Sequence, residues 1–167
     1  MPWVKHALEE KDFEVFVPEM PNTDNPIIGD WVAHLGKAVG EINENTIFIG
    51  HSIGCQTILR YLESLPEGKK CKKVILVAPW MTLMNLLEDE KPIVKPWVDT
   101  PIDFEEVKTK ADKFIAVFSD DDSAVPYEEN LKVFKEKLGA EVVTKHKMGH
   151  FTGDEGFAEI PFLLELV

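Results

Sequence analysis

The stretch Thr46-Ile47-Phe48-Ile49-Gly50-His51-Ser52-Ile53-Gly54 joins two segments that want different secondary structures. Its first four residues are β-branched or aromatic and read as a buried strand. After it, Cys55, Ile58, Leu59, Leu62 and Leu65 step by three and four, the spacing of one helix face, until Pro66 and Gly68 stop the helix. A turn tight enough to reverse from strand to helix within these residues forces Ser52 into a strained conformation. The same tightness predicts that Gly50 and Gly54 are needed because side chains there would collide with a neighbouring strand or helix. Ser52 is then exposed at a helix N-terminus, and the Ile53 N–H points at any oxyanion that forms on an attacked carbonyl.

Working outward, strands and helices alternate. Asp12 to Val17 reads as a short strand ending at Pro18, and Gly29-Asp30 opens a helix carrying Trp31, Val32, Leu35, Ala38, Val39 and Ile42 on one face. Val74 to Ala78 and Phe114 to Phe118 are unbroken apolar runs, which mark strands covered on both faces. Tyr127, Leu131, Phe134 and Leu138 form another helical face, with Gly139 as its left-handed terminator. Glu141 to Thr144 is a last strand, and Ile160 to Val167 a closing helix entered at Pro161. Residues 80–110, punctuated by Pro92, Pro96 and Pro101, read as irregular. The pattern predicts one α/β domain over residues 1–167, a doubly wound, mostly parallel sheet with helices on both faces. In such sheets reactive groups gather outside the carboxyl ends of the strands.

Two further loops meet that condition. Ser119-Asp120-Asp121-Asp122-Ser123-Ala124-Val125-Pro126 follows the strand ending at Phe118. A serine nucleophile needs a base, and the base needs a carboxylate to fix its tautomer. The three aspartates supply candidates; Asp-x-x-Val-Pro resembles the register common in α/β hydrolases, which implies that Asp122 faces inward, with Asp120 a brace of the loop and Asp121 facing solvent. Met148-Gly149-His150-Phe151 follows the last strand and places the His150 imidazole above the same edge. Ser52, Asp122 and His150 thus come in the chain order serine, acid, histidine.

Elsewhere the side chains suggest less. His51 is expected to pack or hydrogen-bond beside the turn, and His6, His34 and His146 to be surface or structural groups without metal-ligand spacing. Neither a metal nor a cofactor is expected. Trp80, Met81, Met84, Leu86 and Leu87 suit either the wall of an acyl or aromatic pocket or the underside of a flap. With 30 acidic and 18 basic residues the net charge is −12, which disfavours nucleic acid and anionic membrane as partners. Cys55 and Cys71 are too few for a disulfide framework and are expected reduced, as in a cytoplasmic protein. No apolar run reaches membrane-spanning length.

Five blocks in order, Pro18-Glu19-Met20-Pro21-Asn22-Thr23, Gly50 to Cys55, Pro101-Ile102-Asp103-Phe104, Ser119 to Pro126 and Gly149-His150-Phe151, resemble the small serine hydrolases related to retinoblastoma-binding serine hydrolase. The resemblance implies a compact, nearly lidless α/β-hydrolase fold that cleaves small esters or amides with Ser52, Asp122 and His150. No Leu-x-Cys-x-Glu sequence is present, so retinoblastoma binding is not implied. The resemblance also implies that the chain is shortened at its N-terminus, for it lacks a central strand and the His-Gly loop that supplies a second oxyanion donor. A catalytically weak chain serving as an interaction module is the alternative that this departure raises.

Overall fold

The computed structural model describes residues 2–167. Four strands, β1 (Ile47–His51), β2 (Cys71–Val77), β3 (Ala111–Ser119) and β4 (Glu141–Lys145), form a parallel sheet in the order β1-β2-β3-β4. Around them lie α1 (Pro2–Glu9), α2 (Ile28–Val39), α3 (Ile53–Glu63), α4 (Lys91–Asp99), α5 (Phe104–Lys108), α6 (Tyr127–Glu136) and α7 (Leu163–Leu166). The register pairs Phe48 with Val74, Val74 with Phe114, and Leu76 with Ala116. These side chains share one face of the pleat. On that face Phe48 meets Tyr61 of α3 edge-on, and Phe118 meets Tyr127 and Phe134 of α6. The alternate residues point the other way. Lys73 is one of them, and its Nζ donates to the Leu166 and Val167 carbonyls at the end of α7, with α1 packed on α7. Helices therefore cover both faces, the doubly wound α/β arrangement.

Residues 80–110 are more regular than expected. Pro92 sits in the first turn of α4, where a missing N–H costs nothing, and Pro96 lies inside the helix. What holds α4 despite Pro96 is the fully buried Trp97, packed edge-on against Trp31 and donating from Nε1 to the Pro26 carbonyl. Arg60 of α3 ties down the end of α4 through the Trp97, Thr100 and Pro101 carbonyls. The closing helix is a single turn, α7, shorter than the expected 160–167.

The strand expected over residues 12–17 does not form; the segment has no regular secondary structure. A cavity of about 830 Å³ separates it from β1, lined by Val4, Leu8, Val15, Trp31, Leu35 and Phe48 among others. The Ser52 N–H bonds to the Val77 carbonyl of β2, so by alternation the peptide groups of Ile47, Ile49 and His51 face the cavity. Those three peptide groups have no hydrogen-bond partner among the described residues. The sheet ends at β1, and residues 12–17 run along the other side of this cavity without joining a ladder.

Candidate active site

β1 delivers the chain into the turn before α3, and Ser52 occupies that turn at φ 52° and ψ −124°. This left-handed backbone is costly for a non-glycine residue and is held by two bonds, Ser52 N–H to the Val77 carbonyl and Cys55 N–H to the Ser52 carbonyl, each 2.9 Å. Gly50 is required: a Cβ there would lie 2.7 Å from Ile58 Cδ1 and 3.0 Å from the Cys55 nitrogen. Gly54 does not meet the same expectation, since nothing lies within 4 Å of its added Cβ. Gly54 instead borders the cavity beside β1. The Ile53 N–H, at the start of α3, has no protein acceptor among the described residues and stays available to an anionic oxygen.

The structure brings Ser52, Asp122 and His150 together. His150 Nε2 is 2.9 Å from Ser52 Oγ, and Nδ1 is 2.7 Å from Asp122 Oδ2. The tautomer that suits both contacts carries its hydrogen on Nδ1, donating to the carboxylate, and accepts from the serine hydroxyl at Nε2. Asp122 has its other oxygen occupied by the Ala124 and Val125 N–H groups at 2.9 and 3.0 Å. Its side chain is 2% exposed and that of His150 is 18% exposed, so the carboxylate is shielded from water while the imidazole keeps a partly open edge.

All three aspartates serve the histidine loop. Asp120 accepts from His146 Nδ1 and the Lys147 N–H, which hold its carboxyl below the usual range. Asp121, expected to face solvent only, also accepts from the Ser119 hydroxyl at 2.7 Å and the Gly149 N–H at 2.9 Å. A residue that the sequence reading passed over completes the loop: Glu155 Oε2 accepts from the N–H groups of His150 and Thr152 and from the Thr152 hydroxyl. Burial works against the Glu155 carboxylate, but these donors outweigh it and keep its pKa low. Gly149, at φ 49°, lets Glu155 in, for a Cβ would stand 2.3 Å from its Oε1. The nearby signal in the sequence was a glycine directly before the histidine with a carboxylate five residues after it.

His51 lies against the back of His150. Its Nε2–H donates to the His150 carbonyl at 2.7 Å, and the ring centroids are 5.0 Å apart. Burial lowers the His51 pKa from its ordinary 6.5, with the carbonyl contact pulling the other way. A lowered folded-state pKa means that the unfolded chain binds the proton first, so this contribution is intact above pH 6.5 and is lost as pH falls below it. His51→Gln, which keeps a donor for the carbonyl, should flatten the decline in Tm between pH 7 and pH 5 relative to the unchanged chain. An unaltered decline would place the acid sensitivity elsewhere.

Trp80, just past β2, is 2% exposed and donates from Nε1 to Ser52 Oγ at 3.3 Å. Met84 and Leu87 are exposed at 38% and 64%. No helix is long and apolar enough to cross a membrane, and no group of three potential metal ligands occurs, among the described residues.

A family model described as "Serine hydrolase" matches residues 2–167. YdeN of Bacillus subtilis (strain 168) is 28% identical over 166 residues, spanning 99% of this chain and 85% of YdeN. Serine hydrolase RBBP9 of Rattus norvegicus is 26% identical over 154 residues, 92% of this chain and 78% of that one. The crystal structure of the B. subtilis ydeN gene product superposes with a TM-score of 0.88, 27% identity, and coverage of 99% and 86%. A meta-cleavage product hydrolase of Pseudomonas fluorescens IP01 shares the fold at a TM-score of 0.57 and 13% identity, with coverage of 87% and 73%. With the match running from residue 2 to residue 167, the chain belongs to the serine hydrolase family.

Proposed function

We propose that this chain, working as a single domain, hydrolyses small carboxylic esters or amides through an acyl-enzyme. The observation that supports it is the unbroken series of contacts from Asp122 Oδ2 through His150 to Ser52 Oγ, 2.7 and 2.9 Å, at the carboxyl edge of a parallel sheet. Ser52 Oγ attacks the substrate carbonyl while its proton passes to His150 Nε2. The carbonyl π electrons move onto oxygen, where the Ile53 N–H meets them. Collapse re-forms the carbonyl and breaks the bond to the leaving group, which takes the proton from Nε2. A water molecule then gives a proton to Nε2 and its oxygen to the acyl carbon, and Ser52 Oγ departs with that proton. Asp122 stays ionised throughout and holds His150 in the accepting tautomer.

The substrate class follows from chemistry and charge: a small uncharged or cationic ester or amide suits a protein of net charge −12. Cys55 and Cys71 are both buried, free thiols, in keeping with a reducing, cytoplasmic setting. A second reading, a weak enzyme used as an interaction module, draws support from the unpaired edge of β1. Two measurements separate the readings. Hydrolysis of p-nitrophenyl acetate should accompany labelling by a fluorophosphonate probe, with the modified peptide mapped by mass spectrometry to Ser52. A folded chain that neither turns over the ester nor takes the label is the interaction module.

A further inference from the structure

We propose that Trp80 is a catalytic residue in its own right: its indole N–H acts on Ser52 Oγ, steadying the negative charge that oxygen carries as it attacks and as it leaves. The inference rests on the reading of Ser52 as nucleophile.

The resting contact is 3.3 Å, from Trp80 Nε1 to Ser52 Oγ. Ser52 Oγ therefore donates its own hydrogen to His150 Nε2 and accepts one from the indole, which fixes its rotamer from two sides. When the serine proton passes to His150 and the bond to the acyl carbon forms, Oγ is partly anionic in the transition state. The same charge returns on deacylation, when the bond from Oγ to the acyl carbon breaks and His150 hands the proton back. A neutral donor strengthens as its acceptor gains charge. It favours both transition states over the ground state, which is the requirement for a rate effect.

The backbone that carries this indole is fixed by buried hydrogen bonds. Ala78, fully buried, turns the chain at φ 46°, and its N–H bonds to the Val117 carbonyl at 2.8 Å. Gln56, fully buried on α3, donates to the Trp80 carbonyl at 3.1 Å. Asn130, buried on α6, accepts from the N–H groups of Met81 and Thr82 at 2.7 and 3.1 Å and donates back to the Thr82 carbonyl at 3.0 Å. Two buried amide side chains and one strained residue thus fix residues 78–82. Burying amides is costly unless their bonds are made, and here those bonds fix the backbone on either side of Trp80.

The length of the contact sets the size of the effect. At 3.3 Å it is longer than a well-formed N–H···O bond, so the loss should be about tenfold rather than the 10²–10³ of a full oxyanion donor. Two variants remove the N–H: Trp80→Phe, and replacement of Trp80 by β-(3-benzothienyl)alanine, which keeps the bicyclic shape should phenylalanine fail to fold. In each, kcat for p-nitrophenyl acetate and the rate of fluorophosphonate labelling should fall about tenfold while KM stays within about twofold. In the unchanged chain the indole N–H proton resonance of Trp80 should move on labelling, because its acceptor becomes an ester oxygen. A benzothienyl variant with unchanged kcat and labelling rate, or a changed KM alone, overturns the proposal and leaves Ser52 as nucleophile. Unchanged protein that is not labelled at Ser52 overturns both.

Discussion

Ser52→Ala and His150→Ala should each abolish most of the turnover of p-nitrophenyl acetate, and the double variant should be no worse than either. In a complete serine protease, removing serine or histidine costs about 10⁶ in kcat. With the Ile53 N–H as the one backbone donor identified among the described residues, about 10²–10³ of that capacity is not in play, so the expected fall is about 10³–10⁴. Non-additivity is the more telling result. Ser52 Oγ and His150 Nε2 share one proton across 2.9 Å, so once either partner is gone the other has no proton to give or take. Additive losses would mean that the two act separately, and the acyl-enzyme mechanism would fall. Far-ultraviolet circular dichroism and Tm should be near those of the unchanged chain, because alanine at φ 52° meets much the same backbone strain that serine already bears.

The sequence told most where local chemistry and the finished fold agree. Val74 to Val77 and Phe114 to Phe118 are apolar without alternation and are fully covered in the structure. Gly50 was legible because its crowding comes from Ile58 and Cys55, its own near neighbours. Gly54 was misread because its added Cβ would point into open space beside the cavity rather than at a packed strand or helix. Residues 12–17 have the apolar content of a strand but line the same cavity without joining a ladder, which local propensity cannot foresee. α4 escaped notice because Pro96 is an ordinary helix breaker, and only the tertiary burial of Trp97 overrides it. Glu155 was illegible, and Trp80 legible only as a candidate wall or flap residue, for another reason: what they contribute is a contact made across the fold, and nothing periodic records it.

The second large effect concerns which of three consecutive aspartates serves His150. In Asp122→Asn one oxygen becomes NH₂. If that NH₂ faced the Ala124 and Val125 N–H groups, three donors would confront one another in a buried site; Asp122 is 6% exposed. The amide therefore turns its NH₂ toward His150 and donates to Nδ1. The imidazole must then carry its hydrogen on Nε2, where it points at Ser52 Oγ and can no longer take the serine proton. This tautomer trap costs about 10⁴ in a complete triad. Here it cannot exceed what loss of Ser52 costs, so a fall of about 10³ is expected, with Tm little changed. Asp121→Asn behaves differently. The Ser119 hydroxyl and the Gly149 N–H both reach the same oxygen, Oδ1, which the amide retains, so most of the activity should survive. Kinetics on the two variants decide the assignment: if Asp121→Asn proves the more damaging, the carboxylate behind His150 has been misidentified, and the proton path from Ser52 must be redrawn through a different loop geometry.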